Sequence, residues 1–119
     1  MKYSLEHIRE VFFWSLEARD MEMLRYLLHP SFNFCLKGEV ITYSEFLMRI
    51  EKRRFLFLQN FSAKSAIALP VKKNSQFGFI FIRNRKLPKA LESASHNLSY
   101  LEIWSIPNDH YRMHSLYFS

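Results

Sequence analysis

Leu5, Ile8, Phe12 and Leu16 recur at helical spacing behind Ser4, whose hydroxyl suits a helix start, and together they predict a first helix of about four turns. Val11, Phe13 and Trp14 widen its apolar stripe beyond one face, so this helix is expected to be covered on two sides. Asp20 can cap a second, short helix with Met21, Leu24, Leu27 and Leu28 inward. That helix should end before Pro30, because a residue preceding proline is pushed out of the helical region. His29 is then expected as a cation at the helix C-terminus, where the dipole favours it over a catalytic role. Residues 32–35 and 40–42 flank Lys37-Gly38-Glu39 and read as a small hairpin. Ser44 is the expected cap of a third helix, turning Phe46, Leu47 and Ile50 inward and Arg49, Lys52 and Arg53 to water.

From Phe55 the period shifts toward two, and residues 57–69, 77–85, 98–106 and 111–118 read as long strands. A short Asn108-Asp109 turn joins the last two as a hairpin. Three helices followed by an antiparallel meander is an α+β pattern. Phe77, Phe79 and Phe81 alternate with Ile80 and Ile82, so one strand is apolar on both faces. An antiparallel sheet usually keeps one face wet; here both need a cover, the helices supplying one and a partner subunit the other. A homodimer is the expected assembly.

Composition narrows the classes. A chain of 119 residues, 49% hydrophobic and 17% aromatic, is expected to form a single domain over residues 1–119. No apolar run approaches the roughly 18 residues of a membrane span and no signal peptide is visible, which points to the cytoplasm and no membrane partner. Cys35 is the one cysteine, so an intramolecular disulfide and a multi-cysteine zinc site are excluded. With only Gly38 and Gly78, the chain has neither a phosphate-binding loop nor a dinucleotide fingerprint. Its five histidines lack metal-ligand spacing, so neither metal nor cofactor is expected. The charge is uneven. Between residues 49 and 89 stand eleven Lys or Arg against one acid, Glu51, a surplus of ten in a chain of net charge +6. Such a segment suits a solvated face or an anionic partner; its aromatics fall where core strands are expected, which makes nucleic acid a minor reading.

Leu27-Leu28-His29-Pro30-Ser31-Phe32, then Gly38, then Tyr43-Ser44-Glu45-Phe46-Leu47, and finally Ile103-Trp104 ahead of Tyr111-Arg112-Met113 carry a resemblance. Together they resemble the nuclear transport factor 2-like superfamily, and within it small bacterial members of unknown function. The resemblance spans nearly the whole chain and implies a cone-shaped α+β barrel: a strongly curved antiparallel sheet wrapped around the N-terminal helices, with a pocket inside and dimerisation through sheet faces. Members of that superfamily include ketosteroid isomerase, SnoaL-type cyclases, dehydratases, binding modules and transport adaptors, so fold leaves function open.

Isomerase-like members need a helix-one tyrosine and a first-strand carboxylate; the resemblance places Phe12 and Cys35 at those positions, and neither can do that chemistry. A histidine common in the last strand of the small relatives aligns with Leu116, with His114 one alternation away. Glu102 and His114 are the remaining catalytic candidates, as a buried acid and a base. Register decides whether they cooperate: a two-residue turn opposes Glu102 to Ser115 and puts the pair on opposite faces, whereas a three-residue turn pairs them directly. The relatives' spacing favours the first case. The alternatives are a structural carboxylate and a half-exposed strand histidine. Phe12, Cys35, Tyr100 and Trp104 are the pocket-lining candidates, with sheet packing or a dimer contact as the other role for the last two. The expected function is binding of a small apolar molecule, with an interaction module as the alternative.

Overall fold

The computed structural model describes residues 3–53, 63–71, 78–84, 99–106 and 110–118. Helix α1 (Leu5–Ala18) begins where Ser4 Oγ accepts the His7 amide N–H at 3.1 Å, and it ends on Arg19 in the left-handed region at φ 53°. Asp20 Oδ1 accepts from the Met23 N–H at 3.1 Å and starts α2 (Met21–Leu27). The chain then runs directly into β1 (Leu28–Leu36), turns at Lys37 and Gly38 into β2 (Glu39–Thr42), and continues as α3 (Tyr43–Glu51). The cap position of α3 is Thr42, not the expected Ser44, which lies inside the first turn two residues later. After α3 come a short helix α4 (Ala63–Ile67) and the strands β3 (Phe79–Asn84), β4 (Tyr100–Ser105) and β5 (Arg112–Phe118).

The expected strand over 57–69 is corrected by α4: its Ala-Lys-Ser-Ala stretch is built of residues at ease in a helix, and no alternation there is strong enough to oppose it. Residues 57–62, the outer ends of the strand expected over 77–85, and the turn at 107–109 lie outside the described residues.

The five strands form one curled sheet in the order β2-β1-β5-β4-β3. Three of its four strand pairings are antiparallel as expected, but β1 pairs with β5 in parallel. That contact carries the first hairpin back onto the last strand. Local periodicity reports which residues share a face, not which distant strands adjoin. Between Leu28 and Asn33 the β1–β5 register slips, at the point where Pro30 lacks an amide donor and the Ser31 N–H is given to His29 Nδ1 at 2.9 Å. Irregular pairing here follows from the sequence of the strand itself.

The inner face of the sheet carries Phe34, Ile80, Ile82, Tyr100, Glu102, Trp104, Met113, Leu116 and Phe118, all buried. Helix α1 lays Phe12 across Trp104, edge-on with ring centres 5.7 Å apart, and α3 inserts Phe46 beside Phe32 and Phe34 at 4.9 and 5.4 Å. Edge-on and tilted rings at such distances add to the area they bury. The outer face, with Cys35, Phe79, Phe81, Leu101, Ile103 and Tyr117, is half-buried, and Val40 at its edge is 63% exposed. No helix among the described residues is long and apolar enough to cross a membrane.

Candidate functional site

Two charged residues occupy core positions. Arg9 falls on the inward stripe of α1 between Leu5 and Phe12, and Glu102 falls on the inward face of β4 between Tyr100 and Trp104; they are 1% and 0% exposed. The guanidinium meets the carboxylate through two bonds, Nε to Oε1 at 2.9 Å and Nη2 to Oε2 at 2.5 Å. The same guanidinium donates to the backbone oxygens of Ala66 at 2.5 Å and Ile67 at 3.3 Å, at the C-terminal end of α4. Trp104 Nε1–H completes the set by donating to Glu102 Oε1 at 2.8 Å. Burial opposes the charge on Arg9, but the hydrogen bonds to and the field of Glu102 outweigh it and hold the guanidinium above its ordinary value. The Tyr100 hydroxyl is fully buried beside both charges; burial first, and the negative charge of Glu102 second, push its ionisation well above the usual tyrosine range.

This cluster joins three elements that sequence separates widely, α1, α4 and β4. Both oxygens of Glu102, one of the two catalytic candidates, are engaged by Arg9 and Trp104, an arrangement in keeping with a structural carboxylate. Phe12, Tyr100 and Trp104 surround it as packed core. Cys35 is apart from them: it is half-buried on the other face of the sheet, in register with Tyr117 and Val40, while its neighbour Phe34 points inward.

His114 is also on that other face. Near the turn the β4–β5 register follows the two-residue case, Trp104 opposing Met113, but the pairing then slips by one residue so that Ile103 opposes Ser115 and Glu102 opposes Leu116. His114 is the extra residue, a β-bulge. Neither register expected from the sequence survives past it, and Glu102 and His114 do not meet. His114 lies instead between the rings of His29 and Phe79, at 5.1 and 5.4 Å, with Nδ1 2.8 Å from Ser115 Oγ. Burial, and then the charge of His29, lower its pKa below the ordinary 6.5. His29, expected at the C-terminus of the second helix, is a residue of β1 two positions past the end of α2, and its Nδ1 accepts the Ser31 amide N–H at 2.9 Å.

An open groove of about 460 Å³ is lined by other residues, from α1, α2 and the segment ahead of β5. One wall is α1, through Tyr3 just ahead of it, His7, Ile8 and Val11. The other is Met23, Tyr26 and Leu27 of α2 with His110 and Tyr111, the two residues ahead of β5. Each wall carries an aromatic pair. Tyr3 and His7 stack at 5.4 Å and 30°, and Tyr26 meets His110 edge-on at 6.2 Å and 73°. Tyr3 and Tyr26 are 55% and 54% exposed, a large aromatic surface to leave in water. Sequence reading missed this site, although its trace was present: aromatic Tyr3 ahead of α1 and His7 and Tyr26 on α1 and α2, all outside the core stripe.

The basic segment lies largely outside the described residues. Where it is described, Arg49 bonds Glu45 at 2.8 Å and Glu39 at 3.4 Å, so part of its surplus is offset by acids just ahead of it in sequence. Among the described residues no group of three or more His, Cys, Asp or Glu is placed to hold a metal ion.

No protein-family model matches the chain, and no curated protein does. Solved structures do. It is similar to an NTF2-like protein from Cytophaga hutchinsonii with a TM-score of 0.57 and 13% identity, over 89% of this chain and 86% of that one. It is similar as well to a designed NTF2 chain, Rd1NTF2_05, with a TM-score of 0.56 and 11% identity, over 95% of this chain and 94% of that one. At such identity the likeness concerns the path of the backbone. With its helices set in a curled five-stranded sheet, the chain has the nuclear transport factor 2-like fold.

Proposed function

We propose that the protein binds a small apolar molecule, and that the binding site is the groove between α1 and α2 closed off by His110 and Tyr111. The single observation that carries this reading is the groove itself: about 460 Å³, walled by aliphatic and aromatic side chains with a few polar tips. Ligand sites of small molecules have this character, concave and mostly apolar with sparse polar groups, at roughly 300–1,000 Å³. The interior of the cone supports the reading from the other side, because Phe12, Tyr100, Glu102 and Trp104 are engaged with one another and with Arg9.

A thermal-shift screen with small aromatic and alicyclic compounds tests the proposal. A ligand that binds only the folded chain raises its melting temperature by mass action. Compounds that do so should lose the effect in Tyr26→Ala, a substitution at a half-exposed position that leaves the core intact. A screen in which no compound stabilises the protein, or in which Tyr26→Ala and Tyr3→Ala leave every shift unchanged, would reject the groove as the site.

A further inference from the structure

We infer that Arg112 is a positioning residue for the groove: without lining it, the guanidinium holds the wall residue Tyr26 in place, a reading that rests on the binding function proposed above and adds a determinant of affinity. The guanidinium carbon lies over the Tyr26 ring, 6.0 Å from its centre, where the ring's quadrupole attracts the charge. His110 meets the same ring edge-on at 6.2 Å. The residues on either side of Tyr111 therefore both grip Tyr26, and with it the α2 wall of the groove.

The grip matters because Tyr26 has little else to fix it. It stands on a helix of seven residues, too short to be stable alone, and more than half of it is exposed. Ordering such a side chain when a ligand arrives costs free energy that is taken from affinity, unless the free protein has already ordered it. Arg112 can do so because its own backbone is anchored. It is the first residue of β5, stands in register with Ser105 of β4, and its carbonyl accepts the Ser105 hydroxyl at 3.3 Å. A line of contacts thus runs from the sheet through Arg112 to one wall of the groove. Acting through the ring, the guanidinium should support binding of an uncharged ligand, which a direct ionic contact would not.

Fluorescence titration with N-phenyl-1-naphthylamine, an uncharged apolar probe, tests this in a double-variant cycle. Arg112→Leu should weaken probe binding about two- to fivefold, the scale of one exposed contact between a cation and a ring, and Arg112→Lys, which keeps a cation, should recover part of the loss. In a Tyr26→Leu background, which keeps an apolar wall but removes the ring, Arg112→Leu should change the affinity by less than about 1.5-fold. The contact also has a signature in the free protein: the Arg112 δ-proton resonances should be shifted upfield by the ring, remain so in Tyr26→Phe and return to ordinary positions in Tyr26→Leu. Unchanged probe affinity in Arg112→Leu, an equal loss with and without the Tyr26 ring, or ordinary Arg112 resonances in the unaltered protein would overturn the positioning role and leave the groove as a binding site. Absence of probe binding to the unaltered protein would overturn the groove reading together with this inference.

Discussion

Arg9 and Glu102 take opposite charges into positions that α1 otherwise gives to leucine and phenylalanine and β4 to tyrosine and tryptophan, and each offsets the other's charge. Removing one partner strands a buried charge, which costs about 3–5 kcal/mol, whereas replacing both with apolar residues of similar volume is often close to neutral. Arg9→Met and Glu102→Leu should therefore each lower the urea-denaturation stability by about 3 kcal/mol or more, and the double variant should recover only part of the loss, because the Trp104 Nε1–H and the Ala66 and Ile67 carbonyls lose these partners. Single losses below about 1 kcal/mol would show that the pair is not buried in solution. His114 gives a second residue-scale outcome. Its pKa is lowered in the folded chain, by burial and then by His29, so the unfolded chain binds the proton more readily and folding stability falls as pH drops below the unfolded value of 6.5. Melting temperature should thus decrease from neutral pH toward pH values below that point, and His114→Phe should flatten this part of the curve. A curve unchanged by the substitution would assign the slope to other groups. Of these residues the sequence made His114 and Glu102 visible as candidates, but not their partners. A lone arginine inside an apolar helical stripe and a lone glutamate inside an apolar strand were the available signals for the ion pair, and each has an innocent reading until the other is found.

At the scale of elements, what periodicity and end signals can report was legible. Ser4 and Asp20 cap the helices they were expected to cap, and α3, β3, β4 and β5 lie within or beside the expected segments. What failed depends on information that a local window does not contain. Helix α4 is five residues long and is held by Arg9 from α1, with its last carbonyls aimed at that guanidinium; so short a helix has little stability of its own. The bulge at His114 and the slip at Pro30 each shift register by rearranging hydrogen bonds between strands. The first hairpin offers a direct test of local chemistry. Lys37 and Gly38 both have positive φ, 50° and 85°, the conformation of a two-residue turn that favours Asn-Gly. A non-glycine residue there carries a steric penalty, and asparagine the least of them. Lys37→Asn should raise unfolding free energy by about 0.5–1 kcal/mol, and Gly38→Ala should lower it by about 1 kcal/mol, although the added methyl group meets no neighbour within 4 Å. Opposite signs in denaturant titrations would mean that the turn is not of this type.

For the molecule as a whole, the curled sheet separates two surfaces with different uses. Its concave face is closed over the Arg9–Glu102 pair, while its outer face presents half-buried Phe79, Phe81, Ile103 and Tyr117 beside exposed Val40. We propose that a second copy covers this outer face, as the two-sided apolar pattern of β3 leads one to expect. Light scattering should then report twice the chain mass, and replacing Val40 and Phe81 with lysine should give a folded monomer; a native chain that stays monomeric at high concentration would remove the proposal. The groove is independent of that face, being built on α1 and α2, and it bears the central claim about function. Amide chemical-shift mapping during titration with a compound that stabilises the protein in the thermal-shift screen tests that claim most directly. Shifts concentrated at residues 3–11, 23–27 and 110–112 are the expected result; shifts concentrated at Phe12, Tyr100, Glu102 and Trp104, with the groove silent, would place the ligand inside the cone and contradict the account.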